Sequence, residues 1–575
     1  MKRIIALLSV FITLSAFAAE REYIWPKGKM PDLQEHQIAA MTDVSRVDGF
    51  KPDKYRKPYL DWCEAPAADV DNHCCMILIS GGGYYSCCDV EKVETWRQRL
   101  TELGFHCVNF VYRTPRPEGL PIYQSAWEDG QRAVRMVRSE AEKRGFDPEK
   151  IGTISMSAGS HLALLLGTSS QTPAYEAVDE LDSLPCHINW AIVNAPAYVL
   201  SDGDMGEPNF MEGYDGNYIK LNSAFKFDEK TCPMSLHHGG LDPYSPIGST
   251  MVYRKLRSMG IPAEVHLYPD LGHCAPGLER AVEFMRQMGF MGELEEPVDI
   301  MTRYDSDENR AEYIVEKVWP GRVPNFQEHQ CVPLIEWHIP VHKTTDAIQI
   351  IYSGGGYGGN STKGFEVEPA VRYLNEKGMT VVTLTYRTPR PNGLPKHVTA
   401  WQDLQRAIRI VRSEAAERGL DPNRIGIMGS SAGGHLTLMG VTSSLHNSYL
   451  AMDDIDKESC SVQWGIGIYP AYALTDGIDV PNTTGGNDDS AVLVPEYSFD
   501  LATAPMLFIH GDADGWAAMN SVKTWEKMRA MGIQSEVHTL ALRPHCFQAS
   551  ANPGTGSYTW LDRIWEFLTA KGFNK

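Results

Sequence analysis

Beyond its first twenty residues the chain has no apolar run of about 18 residues, so no later segment reads as a membrane-spanning helix. It has no basic excess either. Its 53 Lys and Arg stand against 73 Asp and Glu, and a formal net charge of −20 argues against nucleic acid or an anionic membrane surface as partner. The paired C-x-x-C and histidine spacing of a structural zinc site is missing, and so is the Lys-Ser/Thr of a phosphate-cradling loop. Neither a metal nor a cofactor is therefore expected. No cysteine precedes Cys63, which argues against a lipid-modified cysteine near the amino terminus.

What is present begins with Lys2 and Arg3, the stretch IIALLSVFITLSAFA and then small residues. That is the pattern of a secretory leader over residues 1–19, cut near Ala18 or Ala19. The expectation is a soluble exported protein, secreted or periplasmic, with no membrane anchor in its mature form. Twelve cysteines permit disulfides in such a compartment but do not fix their pairing.

Internal repetition organises the rest. SGGGY stands at 80 and 353, YRTPRPEGLP at 112 returns as YRTPRPNGLP at 386, and RMVRSEAEKRGFDPEKIG at 135 returns as RIVRSEAAERGLDPNRIG at 409. The offsets are 353 − 80 = 273 and 386 − 112 = 274, so register barely slips across the unit. A period this long is a duplicated domain. The expected units are 20–290 and 317–575, joined by a charged linker over 291–316 that is poor in apolar periodicity.

Within each unit, short apolar runs such as CCMILIS and AIQIIYS end in glycine and suit buried strands. Residues 91–103 and 366–377 read as helices. Helical spacing also runs from Ala126 and Ala400 to Gly145 and Gly419, good positions to end a helix. Strand alternating with helix implies an α/β fold: two tandem domains, each a mostly parallel sheet flanked by helices, with active sites at the carboxyl ends of the strands.

At one such end stands GSSAGG, which fits G-x-S-x-G with Ser431 at its centre; alignment of the repeats places Ser157 at the same point. The motif sets a serine on a tight strand-to-helix turn with its Oγ exposed. Ser155 replaces the glycine before the first of these serines, and the added hydroxymethyl group is expected to strain that turn without abolishing it. The SGGGY loops offer backbone N–H groups to a tetrahedral oxyanion: Gly82 or Gly83 with Ala158, and Gly355 or Gly356 with Ala432. Late in each unit an aspartate and then a histidine follow. Asp242 precedes His273, and Asp514 precedes His545, both by 31 residues (273 − 242 and 545 − 514). Asp512 is the alternative acid in the second unit. The order Ser, Asp, His suits a histidine base that activates the hydroxyl, with the aspartate fixing its tautomer. Tyr84 and Tyr357, beside the glycine loops, are candidates to line an acyl or sugar pocket. His161 and His435, four residues after the serines, read as packing residues; Arg113 with Asp129, and Arg387 with Asp403, read as ties between a loop and a helix.

With SGGGY, YR-x-P, GSSAGGHL and HGDAD in place, the sequence resembles exported α/β-hydrolases of the esterase/lipase superfamily, and within it acetylxylan-esterase-like carbohydrate esterases related to the feruloyl esterases of gut bacteria. The resemblance covers both units. It implies two catalytic sets, Ser157, Asp242, His273 and Ser431, Asp514, His545, in a serine esterase that hydrolyses acyl esters, acetyl foremost, on carbohydrate such as xylan. The departures are Ser155 and the RPHC context of His545. Neither unit has room for a large helical cap before its glycine loop, which leaves an open site suited to a bulky alcohol moiety. Two other readings stay open. One is a peptidase of the prolyl-oligopeptidase type, sharing fold and residues. The other is a single catalytic unit with its companion kept as a binding or structural partner.

Overall fold

The computed structural model describes residues 20–42, 57–87, 90–202, 219–274, 276–303, 309–475 and 492–575, so the expected leader over 1–19 lies outside the described residues. The fold class is as expected: a mostly parallel sheet with helices on both faces. The two repeats, however, share one sheet of 16 strands. In the first half the order across the sheet is Glu20–Tyr23, Tyr59–Trp62, Phe105–Val111, Cys74–Ile79, Ile151–Met156, Trp190–Asn194, Met234–Gly239 and Ala263–Tyr268. The second half repeats this order in reverse, from Glu536–Leu540 back to Arg310–Lys317. Alternating residues of each inner strand are buried on opposite faces. Ile77 and Ile79 join an apolar cluster that runs through both halves, whereas Met76 and Leu78 join one confined almost wholly to the first.

The segment 291–316 is not wholly a linker. Arg310–Lys317 pairs antiparallel with Leu334–Pro340 and forms the outer edge of the sheet, as Glu20–Tyr23 does in the first half. Tyr313 and Val315 are exposed while Ile314 packs against the core, so one face of this strand is wet. That alternation, diluted by charge, hides the strand from a reading by composition.

The halves meet where Ala263–Tyr268 pairs antiparallel with Glu536–Leu540, His266 opposite His538. Because all neighbouring inner strands within a half are parallel, this one antiparallel step points the carboxyl ends of the two halves in opposite directions. The junction is polar and buried. His266 and His538 bond through their Nδ1 atoms at 2.9 Å, and their Nε2 atoms lie 3.0 and 2.6 Å from Glu264 and Glu536. Two neutral imidazoles can share one Nδ1 proton only if the donor's Nε2 is bare and accepts from a protonated carboxyl. In keeping with this, burial raises both carboxyls to about 8 and pushes the imidazoles of His237, His266 and His538 well below their ordinary value.

These shifts predict a stability optimum. Below the ordinary histidine value of 6.5 the unfolded chain binds protons that three buried imidazoles refuse, so stability rises with pH. From there to about 8 the folded chain keeps two carboxyl protons that unfolded carboxylates, with an ordinary value of 4.5, have already lost, so stability falls. The thermal midpoint should therefore peak near pH 6.5, and Glu264→Gln with Glu536→Gln should remove the alkaline decline. A midpoint that keeps climbing to pH 8 in the unaltered chain contradicts this.

Elsewhere the expected ties form. Arg113 Nε donates to Asp129 at 2.9 Å and Arg387 Nε to Asp403 at 2.9 Å, each fully buried pair fixing the post-strand loop onto a long helix. The described cysteines other than Cys87 carry free thiols.

Candidate active site

Each repeat drives a fully buried strand into a serine. Ile151–Met156 ends at Ser157 and Ile425–Ser430 at Ser431, and a helix starts at the next residue, Ala158 or Ala432. The serines have φ 58° and 55°, a left-handed conformation that L-residues seldom adopt and that aims the hydroxyl away from both strand and helix. Glycines make the turn possible. A Cβ on Gly81 or Gly354 would lie 2.8 or 2.6 Å from the serine Cβ, and one on Gly159 or Gly433 would lie 2.4 or 2.6 Å from the carbonyl oxygen of Ser80 or Ser353.

Ser155 does not distort this turn. Its hydroxyl donates to the Ile192 carbonyl at 3.0 Å and pairs with Ser160 Oγ at 3.0 Å, so the added polar atom is satisfied. At the matching Gly429 a Cβ would lie 2.6 Å from the Tyr352 ring. The first half has Ile79 where the second has Tyr352, which leaves room for a side chain.

The late histidines reach both partners. His273 Nε2 lies 2.8 Å from Ser157 Oγ and its Nδ1 lies 2.8 Å from Asp242 Oδ2. His545 Nε2 lies 2.9 Å from Ser431 Oγ and its Nδ1 lies 2.7 Å from Asp514 Oδ2. The replacement of glycine by Pro544 before His545 leaves its position unchanged. With Nδ1–H donating to the carboxylate, Nε2 is free to accept the serine proton. Burial alone would raise the Asp242 carboxyl, but contacts with His238 and His273 outweigh it and hold the group down at about 2. Asp514 is held down in the same way by His510 and His545. His238 and His510, each 3.2 Å from its aspartate, are neighbours of the candidate site that the sequence reading missed. Their position four residues before the aspartate in HHGGLD and HGDAD was the available signal.

The glycine loops turn through φ 129° and 63° at Gly82 and Gly83, and 83° and 61° at Gly355 and Gly356. They are packed against the serines by Gly81 and Gly354. Ala158 and Ala432 are first residues of helices, whose N–H groups have no intrahelical partner.

Tyr84 and Tyr357 do not line a pocket. Each is 1% exposed, and each hydroxyl is held 2.8 Å from Nδ1 of the buried His161 or His435. A left-handed backbone at the residue after Gly-Gly-Gly turns the ring inward. The aromatic surface beside the loops belongs instead to Tyr198 with Tyr244 and to Tyr472 with Trp516, ring centroids 5.3 and 4.5 Å apart. A Cβ on Gly83 or Gly356 would lie 3.3 or 3.4 Å from the hydroxyl of Tyr198 or Tyr472, which brings these rings over the loop.

The second site differs in two respects. Gly354 N–H donates to Glu366 at 2.7 Å, and Tyr469, whose ring packs 4.7 Å from that of His545, donates to the same carboxylate at 3.1 Å; the first half has Ala195 at the Tyr469 position. Asp512, the alternative acid, faces the other half. It accepts from Arg257 at 2.7 Å and from Tyr253 Oη at 2.8 Å, while the counterpart arginine, Arg529, donates to the Gly240 carbonyl at 2.7 Å. Each acid loop is thus gripped by an arginine of the opposite repeat. Among the described residues, ligand atoms converge closely enough for a metal in one group alone: His397, His435 and Glu496.

A family model described as BD-FAE matches residues 63–194 and 337–527, together more than half of the chain. The chain is 36% identical over 86 residues to an acetylxylan esterase of Xylanibacter ruminicola, covering 15% of this chain and 16% of that one. It is 35% identical over 88 residues to endo-1,4-beta-xylanase B of Butyrivibrio fibrisolvens, covering 15% and 14%. It is 28% identical over 141 residues to the probable carboxylic ester hydrolase LipM of Mycobacterium tuberculosis, covering 24% and 31%. The chain therefore spans less than a third of each of these relatives. A solved structure of a truncated carbohydrate esterase from gut microbiota is 19% identical, with 49% of this chain and 100% of that one covered and a TM-score of 0.36.

Proposed function

The chain belongs to the BD-FAE family, and from that premise we propose that it is an exported serine esterase with two catalytic units, 20–290 and 317–575, that removes acetyl groups from decorated carbohydrate such as xylan. The observation that carries the reading is the pair of Ser Oγ to His Nε2 distances, 2.8 and 2.9 Å, each with an ionised aspartate behind the imidazole.

In the proposed reaction His273 or His545 takes the proton of Ser157 or Ser431 as Oγ adds to the ester carbonyl carbon. The carbonyl oxygen becomes an oxyanion facing the N–H groups of Gly82 or Gly83 and Ala158, or of Gly355 or Gly356 and Ala432. The histidine then gives its proton to the departing sugar oxygen, leaving an acetyl-serine. Water adds in the second round, with the same base, and releases acetate and the free hydroxyl. The partly exposed rings of Tyr198, Tyr244 and Trp516, with Tyr472, offer apolar faces with polar tips of the kind that receive a sugar ring.

Acetate release from acetylated xylo-oligosaccharides, set beside hydrolysis of aminoacyl p-nitroanilides, tests the reading. Multiple turnovers on the first and none on the second are expected. Anilide cleavage with the acetylated sugars untouched would assign a peptidase.

A further inference from the structure

The second repeat carries a group of side chains that ester hydrolysis does not use. His397 opens the helix Val398–Ala415, His435 lies on the first turns of the helix that starts at Ala432, and Glu496 follows the short strand Val492–Leu493. Their ligand atoms lie within 4.8 Å of one another. His435 is fully buried, yet its Nε2 has no hydrogen-bond partner; the Glu496 carboxylate stands 3.5 Å away without bonding geometry. His397 Nδ1 is also buried without a partner, and so is the hydroxyl of the adjacent Tyr497, whose ring centroid is 5.4 Å from that of His435. Orphaned buried polar atoms each cost free energy, and two such imidazoles beside a carboxylate call for a common partner.

The other repeat serves as an internal control. In the register set by the matching bonds of Ser169 to the Ala224 carbonyl and of Ser443 to the Glu496 carbonyl, the first repeat carries Tyr123, His161 and Ala224 at these positions (397 − 123 = 274, 435 − 161 = 274, 496 − 224 = 272). Only the histidine is common. The Asn222 amide meets His161 Nε2 at 3.5 Å, and neither atom is left without a partner. The second repeat thus has an imidazole where the first has a phenol and a carboxylate where the first has a methyl group, the two groups that bind divalent transition metals through nitrogen and oxygen, and Val494 stands where Asn222 meets His161.

We propose that His397, His435 and Glu496 form a binding site for a divalent transition ion of the zinc type, a site separate from the Ser431 machinery. Two imidazole nitrogens and one carboxylate with an open fourth position is a known zinc donor set. Around a tetrahedral ion with bonds of about 2.0–2.1 Å, ligand atoms stand roughly 3.3 Å apart, so the three groups close by at most about 1.5 Å. Tyr357 Oη, 2.8 Å from His435 Nδ1, is placed to accept that nitrogen's proton, which leaves Nε2 bare for the ion. The protonation states suit ligation as well: burial favours neutral imidazoles at His397 and His435, and although burial acts to raise the Glu496 carboxyl, its contact with His435 holds it in the ionised range. Lys396, beside the cluster, opposes a cation, but burial lowers its own pKa. Such an ion would tie the starts of two helices to the segment bearing Glu496, one layer behind the glycine loop.

The test is titration of the chelator-treated full chain with Co²⁺, read by its visible absorption, and with Zn²⁺, read by calorimetry. Uptake at a single site with tetrahedral or five-coordinate cobalt bands is expected. Glu496→Ala and His397→Tyr install the residues that the first repeat already carries; together they should weaken binding by about 100-fold and erase the bands, while the far-ultraviolet spectrum stays unchanged. No uptake by the unaltered chain, or uptake undiminished in the folded double variant, overturns the proposal. Neither readout depends on ester hydrolysis, so failure here leaves the esterase reading standing.

Discussion

Ser157→Ala together with Ser431→Ala should reduce turnover of a short acetyl ester to near the background, whereas each single substitution should leave the rate of the other site. Loss of a nucleophilic serine of this kind costs about a factor of 10⁶ in kcat, so a substituted half is silent on the scale of its neighbour. The two serines have nearly identical backbone angles and histidine distances, and Ser155 fits its position with both hydrogen bonds made. The antiparallel join also sets the two sites at opposite ends of the sheet, so neither can supply residues to the other's substrate. Steady-state kinetics of the three variants decides the matter. Complete loss in Ser431→Ala alone would mean that the first repeat is a structural partner.

Arg257→Ala should damage the distant half more than its own. Arg257 belongs to the first repeat, but its guanidinium neutralises Asp512, two residues before the aspartate that orients His545. Removing it leaves a buried carboxylate without its cation, a change that typically costs about 3–5 kcal/mol, and frees the loop that positions Asp514. A displacement of about 1 Å at a catalytic group can lower the rate by about 100-fold. Measured in a Ser157→Ala background, where only the second site turns over, kcat should fall by about that factor. Measured in a Ser431→Ala background it should hardly change. Equal losses in both backgrounds would show general destabilisation and contradict a directed role.

The contrast between these two predictions marks what the sequence could convey. Duplication makes corresponding residues visible, and the serines, aspartates and histidines stand at equal spacings in both repeats, so the members of each site are legible as a pattern repeated. Contacts between the repeats leave no such pattern. The pairing of His266 with His538, and the grip of Arg257 on Asp512, depend on which sheet edges meet, and the strands AEVHLY and EVHTL contain nothing that distinguishes a covered edge from a free one. The burial of Tyr84 and Tyr357 is hidden for a related reason. Position next to a glycine loop does not say which way a ring turns, and the left-handed backbone that buries these rings becomes apparent only once the loop is built. Conversely, His397 and Glu496 differ from their counterparts at legible positions, but their convergence on His435 is a matter of three-dimensional packing.

The most direct measurement of the central claim, that both repeats carry a working nucleophile, is the intact mass of the chain after reaction with a serine-directed organophosphonate, followed by peptide mapping. Two adducts are expected on the unaltered protein, on Ser157 and Ser431, one on each single alanine variant, and none on the double variant. A folded protein that takes up no adduct, or takes it up at serines other than these two, would contradict the claim.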